Sequence, residues 1–253
     1  MRRIIYIILF LIGSLTNAQD NSSFILGNEF YNNGDFQKAI TTYESILKTD
    51  KHSAELYFNL ANAYYKTNQT APSIYYYEKA LQLAPNDRDI KNNLAYAQNM
   101  TIDAIEVIPE VGFTKFIKNT INVFSFDTWA LMAVILIILF VVLFLNYYFA
   151  FTTIRKRLMF LTGFSCLGLA LISIAFAYQK FNMVKNDNPA IVFAQETQVK
   201  SEPNLRSESA FDLHEGTKVQ VLEKYDDNWT KIGLSDGKTG WISSGDIKVL
   251  NNF

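Results

Sequence analysis

Residues 129–149 read WALMAVILIILFVVLFLNYYF and residues 158–178 read LMFLTGFSCLGLALISIAFAY, with no charged residue in either run. Each has about the ~20 apolar residues that a helix needs to cross a bilayer. The link between them ends in Arg155, Lys156 and Arg157 and holds no acid. Cytoplasmic loops collect Lys and Arg, and so short a link sends the chain straight back. The pair predicts a transmembrane hairpin, 129–149 and 158–178, with loop 150–157 in the cytoplasm and both flanks on the outer side. On the second run Gly163, Cys166, Ala170, Ser173 and Ala177 form a stripe of small residues. Small residues let helix backbones approach closely in lipid, so the stripe is expected to seat the first helix. Docking another membrane protein is the alternative use of such a face.

Composition narrows the function classes. The chain of 253 residues is 49% hydrophobic and 19% charged, with a net charge of −1. It has no basic block of the kind nucleic acid demands. Cys166 is the single cysteine and lies within an apolar run, so neither a disulfide framework nor a Cys/His zinc site is available. His52 and His214 stand in different soluble regions. Glu106, Glu110, Asp226 and Asp227 read as turn or surface acids. No catalytic constellation, cofactor or metal is expected, and the chain reads as a non-enzyme.

The N-terminal stretch 1–18 resembles an export signal: Arg2 and Arg3, an apolar core at 4–12, and small residues before Gln19. An uncleaved N-terminal helix leaves the topology unchanged. Beyond it, a shift of 34 residues pairs Leu26 with Leu60, Gly27 with Ala61, Phe30 with Tyr64, Gly34 with Asn68, Ala39 with Ser73 and Tyr43 with Tyr77. Small residues fall where helices cross closely, and aromatics where a gap must be filled. Pro85 closes the second copy. This period and pattern resemble the tetratricopeptide repeat, a helix–turn–helix unit. Lys51 at the usual proline position, and Asn68 and Ser73 for the usual Gly and Ala, depart from it. The reading is a repeat domain at 19–100, with repeats at about 20–53 and 54–87 and a capping helix at 88–100 that covers the last apolar face. So short an array is near the lower limit of stability, and a partner or neighbouring copy is expected to complete it.

In the connector 101–128, Phe113, Phe116, Ile117, Ile121 and Phe124 recur at helical spacing around Lys115 and Lys118. Such a segment fits an amphipathic helix on the outer leaflet, and equally the start of a longer helix leading into Trp129. After a polar linker at 179–189, strand signals alternate through Val219 and Val221 and through Thr230 and Ile232, with a turn signal at Asp236-Gly237. They predict a small all-β barrel at 190–253. Glu215-Gly216-Thr217, Trp229 and Asp236-Gly237-Lys238-Thr239-Gly240-Trp241 resemble, in that order, bacterial SH3-type domains. There the glycines serve turns and the tryptophans fill or rim the barrel. That resemblance implies cell-wall or protein contact and nominates Tyr225, Trp229 and Trp241 as surface candidates.

The tetratricopeptide resemblance implies a concave groove made by the first helix of each unit. By register it takes Phe24, Asn28, Tyr31 and Asn32 from the first copy and Phe58, Asn62, Tyr65 and Lys66 from the second. The cap adds Asn92, Tyr96 and Asn99. Asn28, Tyr31, Asn62, Tyr65 and Lys66 are the candidates for holding an extended peptide, since an amide both donates to and accepts from peptide backbone. A solvated surface in an Asn-rich chain is the plain alternative. The expected fold class is a multidomain membrane protein: all-α repeats, a two-helix transmembrane hairpin and a small SH3-like barrel. That order of parts resembles the BatE-type proteins of the Bacteroidetes aerotolerance operon. The resemblance implies a two-pass inner-membrane scaffold with both soluble domains in the periplasm, partnering von Willebrand A-type Bat membrane proteins. The other reading is a peptidoglycan anchor or sensor acting through the SH3-like domain.

Overall fold

The computed structural model describes residues 22–106 and 112–250, so the signal-like start lies outside the described residues. The chain forms two compact units, one from the segments before 108 and after 187, the other from 108–187.

In the first unit, α1 (22–32), α2 (Phe36–Leu47), α3 (Ala54–Lys66), α4 (Thr70–Leu83) and α5 (Arg88–Gln98) follow one another through short turns. Side chains cap α3 and α5: Ser53 accepts from the Leu56 N–H, and Asp87 from those of Asp89 and Ile90. Gly34 (φ 83°) and Asn68 (φ 56°) make the equivalent left-handed turns in the two copies. Asn, whose side chain tolerates that conformation better than most, can therefore stand in for Gly. Ser73 replaces the usual Ala without cost, because its buried hydroxyl donates to the Ala61 carbonyl at 3.0 Å.

The C-terminal part is one antiparallel sheet. Its strands are β1 (Pro189–Val192), β2 (Glu196–Lys200), β3 (Ser209–His214), β4 (Lys218–Lys224), β5 (Trp229–Gly233), β6 (Thr239–Ser243) and β7 (Ile247–Val249). They stand in the order β3-β2-β6-β5-β4-β1-β7. Alternate residues Thr230, Ile232 and Ile242 point inward with Ala190, Val192, Val199 and Val219. Trp229, Lys231 and Trp241 therefore face outward, and the tryptophans do not fill the sheet's core.

β1 is buried on both faces. Ala190 and Val192 enter the sheet's core, while Ile191, fully buried, joins Leu250 in the cluster of Tyr57, Ile74, Tyr77, Ile90 and Leu94 from the helices. Fully burying one such side chain is worth about 1.5–3 kcal/mol. The sheet thus supplies the cover that the short array was expected to take from a partner or neighbouring copy.

Polar contacts ring this shared core. Asp103 accepts from the Thr217 hydroxyl (2.6 Å), the His214 backbone N–H (2.8 Å) and the His214 imidazole (2.7 Å). Lys218 pairs with Glu78 at 2.8 Å, and Gln82 donates to the Leu250 carbonyl. The Lys248 ammonium lies 4.4 Å from the centre of the Tyr75 ring, with Tyr76 and Phe193 beside it.

The second unit holds α6 (Gly112–Asn122), α7 (Phe126–Phe149) and α8 (Thr153–Asn186). α7 and α8 are long and apolar enough to cross a membrane. α8 is longer than the apolar run 158–178. It takes in Arg155–Arg157 at one end and most of the stretch read as linker at the other, because no Gly or Pro lies between Tyr178 and Pro189. Gly163, Ala170 and Ser173 of the small-residue stripe are buried, with the Gly163 position against Phe140 and Leu143 of α7. The stripe therefore seats the first helix. Ser125 caps α7 by accepting from the Thr128 N–H, so α6 and α7 are separate helices.

Gly216 is closely hemmed in at the shared core. Its φ is +86°, and a Cβ there would meet Thr101, Ile74 and Thr70 side-chain carbons at 2.8–3.0 Å. Gly216→Ala is expected to add about 1–3 kcal/mol of overpacking to about 1–2 kcal/mol of backbone strain. Gly34→Ala, left-handed but with open space around it, should show only the backbone part in parallel thermal melts.

The Asp103–His214 contact also sets a pH dependence. Hydrogen bonding to Asp103 raises the His214 pKa above its ordinary value. Burial opposes ionisation of Asp103, but its hydrogen bonds from Thr217 and His214 hold the carboxyl below the usual range. The His214 contribution is complete below about pH 6.5 and fades as pH rises through the raised value. That of Asp103 is complete above about pH 4 and fades as pH falls through the lowered one. The Tm difference between the wild-type chain and Asp103→Asn should therefore be largest between about pH 4 and 6.5.

Candidate functional site

The concave side of the helices carries two hollows in repeat-related positions. The first, of about 260 Å3, is lined by Asn28, Tyr31, Asn32, Tyr43 and Asn59. The second, of about 200 Å3, is lined by Tyr31, Asn62, Tyr65, Lys66, Tyr77, Asn93 and Tyr96. Tyr31 belongs to both, so the hollows adjoin.

Each hollow is built on the same three-residue device. Asn28 Oδ1 accepts from the Tyr43 hydroxyl at 2.7 Å and from Asn59 Nδ2 at 3.0 Å. Asn62 Oδ1 accepts from the Tyr77 hydroxyl at 2.5 Å and from Asn93 Nδ2 at 2.9 Å. Burial pushes the Tyr43 phenol up to about 12 and the Tyr77 phenol upward too. Both hydroxyls therefore stay protonated and keep donating. Phe24 packs on Tyr43 and Phe58 on Tyr77, each with ring centres 6.0 Å apart, so these two rings serve as packing beneath the hollows.

The arrangement changes what the asparagines can do. With each Oδ1 engaged inside the fold, the function left to Asn28 and Asn62 toward a ligand is donation through Nδ2. A peptide carbonyl fits that better than a peptide N–H. Tyr31 is half-buried, with its phenol raised by burial, and Lys66 is exposed.

The five groove residues nominated from sequence all line one hollow or both. Asn32 and Tyr96 do so as well, whereas Asn92 and Asn99 are exposed outside them. From the cap it is Asn93, not Asn92, that reaches the groove, because it faces Asn62 across the helix pair. Asn59 and Asn93 escaped the sequence reading. Their signal was the repeat itself, since they stand one period apart, as Asn28 and Asn62 do.

On the outer face of the sheet Trp241 lies opposite Lys200 on one neighbouring strand and Lys231 on the other. The Lys231 ammonium is 5.8 Å from the centre of the Trp241 ring, and Tyr225 meets that ring edge-on at 5.9 Å. Tyr225 is 64% exposed, and Trp229 lies two residues from Lys231 on the same face. The three C-terminal candidates are thus grouped on one surface.

Comparison with known proteins agrees with both parts. Residues 26–88 match the tetratricopeptide repeat family, and residues 196–248 match the bacterial SH3 domain family. Among curated proteins, tetratricopeptide repeat protein 21A of Mus musculus is 36% identical over 67 residues. The match covers 26% of this chain and 5% of the mouse protein. Both domain families are typical of non-catalytic interaction modules, so the comparisons support binding of protein, peptide or cell wall.

The three-residue device has a measurable weight. Tyr77→Phe removes one donor to Asn62 while keeping the ring, and should lower stability by about 0.5–1.5 kcal/mol. Urea titration of the full chain reads this as a lower midpoint with an unchanged slope.

Proposed function

We propose that this chain is a non-enzymatic scaffold, anchored in a bacterial inner membrane by α7 and α8, that holds extended segments of partner proteins in the repeat groove on the periplasmic side. The observation that carries the reading is the pair of adjoining hollows, each with an asparagine whose carbonyl is engaged internally and whose NH2 is left for a ligand. Tyr31, Tyr65 and Lys66 complete the groove.

The shared core supports the topology. Ile191 and Leu250 are buried among side chains of α3, α4 and α5, so the segments before and after the two apolar helices fold together. They must lie on the same side of any bilayer those helices cross. Two crossings satisfy this and one does not. Arg155, Lys156 and Arg157 at the turn favour the cytoplasm for the connecting loop. The order of parts, similar to that of BatE-type proteins, supports partners of the von Willebrand A-type Bat class in an envelope assembly linked to aerotolerance or stress.

A second reading is favoured by the outward Trp241, Tyr225 and Trp229. Such a platform suits stacking against sugar rings, and makes the SH3-like part a peptidoglycan anchor or sensor. The two readings separate by substitution in the full-length chain. Asn28→Asp with Asn62→Asp keeps the oxygen that accepts from Tyr43 and Tyr77 and removes the donors facing the groove. The double variant should lower partner capture from membranes by about tenfold or more, with Tm nearly unchanged. Trp241→Ala should leave capture intact. Full recovery of partners by the double Asp variant, together with loss by Trp241→Ala, would move the recruiting surface to the sheet.

A further inference from the structure

α6 is strongly two-sided. Phe113, Phe116, Ile117, Thr120 and Ile121 fall on one arc, continued by Val123 just past the helix end, and Thr114, Lys115, Lys118, Asn119 and Asn122 fall on the other. Within the second unit the apolar arc is only partly covered. Ile121 is buried, and its carbonyl accepts from the Trp129 indole N–H at 3.1 Å. Phe113, Phe116 and Val123 are 77%, 64% and 65% exposed. A contiguous apolar patch of this kind on a short helix marks a contact surface.

Two contacts set the level at which α6 is held. Trp129 begins the apolar run of α7, and it is the residue that grips Ile121. Lys180 follows the end of the apolar run of α8 and donates to Asn122 Oδ1 at 2.8 Å. The C-terminal end of α6 is thus tied to the point where both long helices change from apolar to polar. In a membrane that change marks the headgroup layer, where Trp, Tyr and Lys collect.

From this we infer that α6 is an interfacial helix, seated in the outer leaflet with Phe113, Phe116 and Val123 among the upper acyl chains and Lys115 toward the phosphates. The occupant of the exposed arc is phospholipid, because the arc continues the apolar surface of α7 and α8 at its upper edge. The inference rests on the membrane reading of those two helices. Its consequence is mechanical: a foot in the leaflet resists both withdrawal and tilting of the hairpin, which two bare helices do less well.

Site-directed spin labelling of the full-length chain tests it. In a Cys166→Ala background, a nitroxide is attached at Phe116→Cys, at Asn119→Cys on the polar arc, or at Ile138→Cys midway along α7. The chain is reconstituted in phosphatidylethanolamine–phosphatidylglycerol vesicles. Accessibility to oxygen, which concentrates in lipid, is compared with accessibility to a water-soluble nickel chelate. The inference requires an oxygen-to-nickel ratio at 116 several-fold above that at 119, and in the lipid range together with 138. A water-like ratio at 116 with a lipid-like ratio at 138 overturns the foot and leaves the membrane anchor standing. Protection of 116 from both reagents overturns it in favour of a protein contact, with a second copy or with another chain. A water-like ratio at 138 overturns the membrane reading, and the foot with it.

Discussion

The contact on which the rest depends is the burial of Ile191 and Leu250 against the second repeat. Two repeats and a cap leave an apolar face that a longer array would cover with its next helix pair. Here the covering layer is a β-sheet, and the strand that supplies it is apolar on both sides. Ala190 and Val192 belong to the sheet's own core and Ile191 to that of the helices. The polar ring around this seam, with Asp103 accepting three hydrogen bonds, fixes the orientation of the two parts without forming the bulk of the attraction. As a result the groove and the Trp241 face belong to one compact unit. A partner engaging both would meet surfaces already set in place and would lose less freedom on binding.

Much of the fold was legible because it is periodic. A repeat of 34 residues announces itself by register, and two uncharged runs announce their helices by length and composition. The departures of the second copy were legible as departures, but not their compensations. Asn68 works because Asn tolerates the left-handed turn, and Ser73 because a carbonyl lies within reach of its hydroxyl. The end of α8 was misplaced because polarity marks where a membrane run stops, whereas a helix stops where the backbone is interrupted. Between Tyr178 and Pro189 there is no Gly or Pro, and the helix runs on to Asn186.

The candidate site was legible to the level of which residues gather, and not to the level of which atoms remain for a ligand. Asn28 and Asn62 line the groove, yet their carbonyls are engaged by Tyr43, Asn59, Tyr77 and Asn93. Those pairings join residues on different helices and depend on how the helices cross, which no local pattern encodes. The tryptophans of the sheet are a similar case. Alternation along β5 told which residues share a face, but which face was the core depended on the position of Ile232 and Ile242 in the folded sheet.

The seam also governs how the chain can be made. Gln82 and Leu250, hydrogen-bonded in the folded unit, are separated by 168 positions, and the whole of α6, α7 and α8 lies between them. During synthesis the helices of the repeats emerge first, with the patch around Ile74 and Leu94 uncovered. It stays uncovered until the final strands have been made and have reached it. Contacts so remote in sequence form late, because a long loop must close before they give any return. For that interval the half-made protein presents an apolar surface to its surroundings, the condition under which nascent chains aggregate or recruit chaperones. A sequence that places three helices between the two halves of one core thus ties the maturation of its N-terminal half to the arrival of its last strand.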